Sequence, residues 1–250
     1  MSNKSDQPNV DRRQFIGATI AAAGAVTVAP GVILQAVAAS EDEEKAASSK
    51  NRWGLLIDTN KCADGCTACV DACKIENGLK GHGRPETDAV WIRTVKLKDL
   101  DTGRISRLPM MCQHCESPPC VDVCPTTASF KRADGLVLVD RHRCIGCRYC
   151  MMACPYKARS FIHEALTDQS INAPRGKGCV ESCTLCVQRI DRGERQTACQ
   201  EACNEAGHHA ILFGDLKDPD SEISRALKTQ NSVQIRADLE LNTGVRYLNL

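Results

Sequence analysis

The sequence predicts an α+β chain in which one unit, a short strand, a cysteine-rich loop and a short helix, is repeated. Three observations predict it. First, 17 of the 250 residues are cysteine while aromatic residues make up only 4%. Something other than packed rings must organise the interior. Second, sixteen of those cysteines fall into four groups of four. Third, apolar runs with strand character precede three of the groups, and helix-compatible runs surround the last cysteine of a group.

The elements follow in order. The N-terminus pairs Arg12 with Arg13 ahead of a Gly- and Ala-rich apolar stretch from Phe15 to Val28, then Pro30 and small residues at Ala36 to Ala39. This is the three-part layout of a secretory signal. The paired arginines before Gln14-Phe15-Ile16 resemble the twin-arginine export motif, with Asp11 and Gly17 departing from its usual residues. A plain secretory signal or a short anchor is the competing reading. Residues 1–39 are assigned to the signal and the polar run over 40–51 to a linker. Beyond it no apolar stretch approaches the ~20 residues of a membrane helix. The expected location is therefore the periplasm, at the membrane surface. Twin-arginine export carries proteins already folded, which favours cysteines holding a metal over cysteines paired in disulfides.

Strand-like runs come next: WGLLID before group one, DAVWIRTVKL and ISRLPMM before group two, GLVLVD before group three, and AILFGD after group four. Group one is Cys62, Cys66, Cys69 and Cys73; group two is Cys112, Cys115, Cys120 and Cys124. Group three is Cys144, Cys147, Cys150 and Cys154; group four is Cys183, Cys186, Cys199 and Cys203. Helix-compatible runs include CVDACKIEN and CMMACPY. After residue 215 come one amphipathic candidate helix, SEISRALKTQ, and an extended tail expected to wrap the surface or meet a partner.

Group three carries the chemistry most openly. Its C-x2-C-x2-C-x3-C-P spacing curls a loop round one cubane and sends the fourth thiolate to another, as in two-cluster ferredoxins. Pro125 and Pro155 after the fourth cysteines of groups two and three stop the helices there. Zinc is the competing metal. It favours two C-x2-C pairs a dozen residues apart, and group four alone suits that pattern. Haem c is excluded, because no C-x-x-C is followed by histidine. Rieske ligation needs two histidines, and only His114 lies inside a group. His114 reads as a neighbour of a cluster, and His208 and His209 as surface or near-cluster residues. Cys179 is left over and reads as a plain buried thiol, with a competing ligand as the alternative. A net charge of +1 and no basic stripe give no reason to expect nucleic acid. No nucleophile–base pair, phosphate loop or nucleotide fingerprint is present, so no small-molecule substrate and no catalytic residue are expected.

The phrases CQHCESPPCVDVCPTTA, VDRHRCIGCRYCMMACPY and ESCTLCVQRIDRG followed by ACQEAC resemble the four-cluster iron–sulfur subunit of the dimethyl-sulfoxide reductase superfamily. The resemblance spans residues 52–215. It implies tandem bacterial-ferredoxin-like modules, two units of two [4Fe–4S] clusters each, with extended loops. Groups two and three, within 105–165, would be inserted between groups one and four, and 216–250 would form a partner-contacting tail. It also implies how ligands are shared. Cluster one would take Cys62, Cys66, Cys69 and Cys203, and cluster two Cys73, Cys183, Cys186 and Cys199. Cluster three would take Cys112, Cys115, Cys120 and Cys154, and cluster four Cys124, Cys144, Cys147 and Cys150. Group one departs from the pattern with C-x3-C, where Gly65 can supply the extra bend. Groups one and four carry Lys74 and Asn204 where a terminal proline would stand. The implied partners are an integral membrane quinone-interacting subunit and a periplasmic c-type cytochrome or other redox subunit. The resemblance implies an electron-transfer subunit, and an export signal without a molybdenum domain most resembles the periplasmic subunit of the membrane complex associated with dissimilatory sulfite reductase. The alternatives are the iron–sulfur subunit of a polysulfide, thiosulfate or nitrite reductase system, or a zinc-stapled structural module.

Overall fold

A computed structural model describes residues 25–29, 32–35, 47–167, 169 and 174–250. The chain divides into two compact units, 1–46 and 47–250. In the first, β1 (Ala25–Ala29) pairs antiparallel with β2 (Val32–Gln35). The paired arginines expected to direct export, and most of the expected linker, lie outside the described residues.

The second unit opens with β3 (Trp53–Asp58), α1 (Ala68–Glu76), β4 (Arg93–Lys98) and β5 (Ile105–Met110). Then come α2 (Pro119–Asp122), β6 (Ser129–Lys131), β7 (Val137–Val139), α3 (Tyr149–Ala153) and β8 (Ser160–Phe161). It continues with β9 (Val180–Glu181), α4 (Val187–Asp191), α5 (Ala198–Glu205), β10 (Ile211–Asp215), α6 (Glu222–Thr229), β11 (Ser232–Val233) and β12 (Val245–Leu248).

The one sheet of more than two strands runs β10-β3-β12-β11 among the described residues. β3 is apolar on both faces because both its edges are paired: antiparallel to β10 and parallel to β12. Leu55, Ile57, Val245 and Tyr247 are fully buried there. The four hairpins β1-β2, β4-β5, β6-β7 and β8-β9 are separate two-stranded ribbons. α6 starts where the Ser221 side chain accepts the Ser224 N–H, and its Ile223 packs with Leu56 and Leu248. A buried ion pair fastens the loop behind group one. Arg175 reaches Glu181 through two nitrogens, at 2.7 and 2.9 Å, and donates a third bond to the Gly78 carbonyl.

Two features differ from the sequence reading. The tail does more than wrap a surface: β12 is an inner strand of the largest sheet. Its alternation, Val245 and Tyr247 facing inward with Arg246 between, is a half-buried strand pattern. The Tyr247 hydroxyl donates to the Pro109 carbonyl at 3.1 Å and meets the Gln113 amide at 3.2 Å. The short elements β6, β8, β9 and α4 went unseen, because two to five residues carry no periodicity of their own.

Removing residues 244–250 uncovers Leu55 and Ile57 and deletes the buried side chains of Val245, Tyr247 and Leu248. At about 1.5–3 kcal/mol for each buried side chain, the loss is comparable with the whole reserve of about 5–15 kcal/mol of an ordinary domain. The truncated chain is expected to be insoluble or rapidly cleaved in limited proteolysis. A soluble, protease-resistant truncation would show that the strand is dispensable.

Candidate metal centres

Each cysteine group begins as a loop that must turn sharply within two or three residues. In all four, the residue just before the second cysteine is left-handed: Gly65, His114, Gly146 and Leu185 have φ of 75, 44, 72 and 53°. Only one of these turns was legible as a bend, at Gly65. The others hold a histidine and a leucine in a conformation costly to L-residues, or a glycine. Helices then carry the later cysteines. Cys69 and Cys73 lie on α1, Cys120 on α2, Cys150 on α3, and Cys199 and Cys203 on α5. Cys154 is extended, at φ −74° and ψ 112°, as the residue before Pro155 must be.

The helices pack in two pairs, α1 with α5 and α2 with α3. Arg189 of α4 locks the first pair, with its two terminal nitrogens at 2.8 Å from Glu76 of α1 and Glu201 of α5. Groups one and four are thus joined, as are groups two and three. Cys62, Cys66, Cys69 and Cys203 line one small cavity, with His208 on its wall. Cys73 lies in the field of Cys199 and Cys186, and Cys183 in that of Cys73, Cys199 and Cys186. Cys115 lies in the field of Cys112, Cys120 and Cys154. Cys150 faces Cys144. The fourth set is the least gathered: Cys147 is exposed, and Cys124 is held by the Ser129 N–H at 3.3 Å.

None of the seventeen cysteines is in a disulfide. Burial first, then the neighbouring sulfurs, pushes the Cys69 and Cys115 thiols up to about 12 and Cys62 to about 11. Burial likewise pushes Cys112 and Cys186 up to about 12. Such thiols surrender their protons only to a cation, so metal loading releases protons here. The donor set fits an iron–sulfur group on two further counts. Backbone N–H groups of Ser129, Val180, Leu185, Ala198 and Ala210 donate to Cys124, Cys144, Cys183, Cys186 and Cys203 at 3.3–3.5 Å. Such bonds to sulfur stabilise its negative charge. Buried donors also stand without protein partners beside the cysteines: His114 Nε2, Thr184 Oγ1 and Arg159 Nη1.

His114 is neutral. Burial first, then the Arg159 charge, lowers it to about 3, and Nδ1 accepts the Val137 N–H at 3.0 Å. Its proton therefore sits on the unpartnered Nε2. Arg159 went unnoticed in the sequence, where nothing separates it from the other arginines. It is 6% exposed and donates to Cys120 Sγ at 3.0 Å. No carboxylate among the described residues pairs with it; its charge faces Cys120, Cys112 and Cys150. Cys179 is buried, donates to the Arg141 carbonyl at 3.2 Å, and lies beside Cys144.

Residues 103–215 match the family described as 4Fe-4S dicluster domain. The Hdr-like menaquinol oxidoreductase iron-sulfur subunit 1 of Archaeoglobus fulgidus is 40% identical, over 96% of this chain and 98% of its own. The iron-sulfur cluster-binding subunit of the menaquinone reductase of Nitratidesulfovibrio vulgaris is 31% identical, over 80% of this chain and 89% of its own. Protein NrfC of Escherichia coli K12 is 36% identical, over 75% and 76%. The chain belongs to this family of iron–sulfur electron-transfer subunits, which serve oxidoreductase complexes without being their catalytic subunits.

The two glycine turns separate conformation from space. A Cβ on Gly146 would meet the Gly178 carbonyl oxygen at 2.2 Å, whereas one on Gly65 meets nothing within 4 Å. Gly65→Ala is expected to cost only the roughly 1–2 kcal/mol of a left-handed L-residue and to keep its iron. Gly146→Ala is expected to purify with less iron than the wild type. Equal iron in both variants would overturn this ranking.

Proposed function

We propose that this chain, as a member of that family, holds four [4Fe–4S] clusters and passes electrons in the periplasm between a membrane quinone-interacting subunit and a soluble redox partner. The observation that supports the reading is the position of three of the four last cysteines. Cys203 lines a cavity with Cys62, Cys66 and Cys69, Cys73 lies in the field of Cys186 and Cys199, and Cys154 neighbours Cys115. Zinc modules built on local C-x2-C pairs have no use for such sharing. The fold would then be two ferredoxin-like halves. One would be built from groups one and four, the other from groups two and three.

A bound [4Fe–4S] cluster supplies reversible one-electron transfer. The protein supplies the donors and their order. Set two approaches set one through Cys199 and Cys69, and set three approaches set four through Cys120 and Cys150. Between the pairs stand two buried tyrosines. Tyr247 lies in the field of Cys62, and Tyr156 in that of Cys115 and Cys154. The order two–one–three–four makes a wire with two ends.

The quinone partner is supported by the Archaeoglobus and Nitratidesulfovibrio relatives, named as parts of a menaquinol oxidoreductase and a menaquinone reductase. The periplasmic setting rests on the Arg12-Arg13 signal. A place in sulfur metabolism, as the DsrO-like subunit of the complex associated with dissimilatory sulfite reductase, rests on that signal together with the four ordered cysteine groups. A nitrite-reductase-associated role is the second reading, favoured by the likeness to NrfC.

Protein purified without oxygen is expected to contain about sixteen iron and sixteen acid-labile sulfide per chain, the content of four cubanes. Stoichiometric zinc with little iron would leave a structural module instead. Arg159→Met is expected to lower the reduction potentials of clusters three and four, whose cysteines it faces, while keeping their iron. Loss of a fixed positive charge disfavours the more negative, reduced form. Unchanged potentials in an EPR-monitored redox titration would remove Arg159 from that role.

A further inference from the structure

Cys147 is the one exposed cysteine of the seventeen. The others are buried or half-buried, so the donor set containing Cys147 lies nearest to solvent. The surface around it combines two features. Ile145 is 67% exposed, Tyr149 54% and Met152 65%. Ile145 lies in the same loop. Tyr149 and Met152 are three residues apart on α3 and share one helix face. A second such group, Leu97, Leu100 and Ile105, lies on the β4–β5 hairpin, away from any exposed cysteine.

The second feature is charge. His142, Arg143 and Arg148 are exposed in the same stretch. Among the described residues neither arginine has a carboxylate partner. Arg143 donates to the Thr127 hydroxyl, and Arg148 lies over the Phe161 ring at 3.8 Å. Arg52, Arg84, Arg107, Arg132, Arg189 and Arg236 are ion-paired, and the other exposed arginines without a carboxylate among the described residues, Arg104, Arg195 and Arg225, lie on other segments. An apolar centre with unneutralised cations at its rim matches the anatomy of a transient protein interface.

We propose that the surface formed by Ile145, Tyr149 and Met152, rimmed by His142, Arg143 and Arg148, is the docking face for a redox protein with an acidic rim. The face delivers electrons at the Cys147 end of the wire. This rests on the four-cluster reading. Opposite charge steers such an encounter and orients it, raising the association rate by about tenfold or more at low salt. The apolar centre then supplies contact small enough to release quickly, as redox encounters require. The step itself is a single electron leaving the reduced protein for a ferric haem, which becomes ferrous. No bond or proton is exchanged.

The test uses the full chain carrying its iron, reduced and mixed in stopped flow with three oxidants: an acidic cytochrome c, a basic cytochrome c, and a small neutral quinone. The acidic cytochrome is expected to be reduced about tenfold faster than the basic one, or more, at low ionic strength, and the difference to close at high salt. Arg143→Glu/Arg148→Glu is expected to abolish that preference while reacting with the quinone at the wild-type rate. Met152→Asp, which alters only an exposed side chain, is expected to slow the acidic cytochrome alone. Wild-type rates toward the acidic cytochrome in both variants would overturn the proposal. So would variant-sensitive binding to phosphatidylglycerol vesicles with unaltered cytochrome rates, which would make the face a membrane contact. Absence of iron and sulfide would instead fail the four-cluster reading itself, before any oxidant is added.

Discussion

Burying sulfur anions is the constraint on which this structure turns. A thiolate in a dry interior is costly, and several together repel one another. The fold concentrates them nonetheless, and its local irregularities answer that concentration. Left-handed residues before each second cysteine turn the loop sharply, and at Leu185 the turned residue's own N–H meets Cys183. Amides of Ser129, Val180, Leu185, Ala198 and Ala210 meet sulfur rather than carbonyl oxygen. Arg159 adds a full charge where amides alone do not suffice. Helices stay short, because a longer run would carry its cysteines away from the loop they must rejoin.

The scarcity of aromatic residues gives the few that exist a particular use. Tyr247 arrives on β12 and is tied to the Pro109 carbonyl at the end of β5 and to Gln113 in the group-two loop. Trp53 stacks on Phe213 at 5.3 Å between ring centroids, across the β3–β10 pairing. The buried cysteines and these apolar side chains pack in one continuous core.

Much of this was legible in the sequence where a pattern was repeated or sustained. WGLLID, ISRLPMM and AILFGD fall on β3, β5 and β10, and SEISRALKTQ contains α6. The joining of group one to group four, and of two to three, came from family resemblance rather than from spacing, since no local rule says which loop a fourth cysteine will meet. The inner position of β12 was hidden for a physical reason. VRYL shows a half-buried strand but not its neighbour, and its partner β3 lies nearly two hundred residues earlier. Arg159 was hidden as well. A buried cation is recognised by what surrounds it, and its thiol partners are distant in sequence.

The parallel register Leu55↔Val245 has a consequence for biogenesis. A ribosome makes Val245 nearly two hundred residues after Leu55. Until it does, the β3 edge that faces β12 stays open, and Leu55 and Ile57 lack the cover of Val245 and Tyr247. All four cysteine groups have been made by then. The largest sheet is therefore completed after its cysteine loops, and not before them.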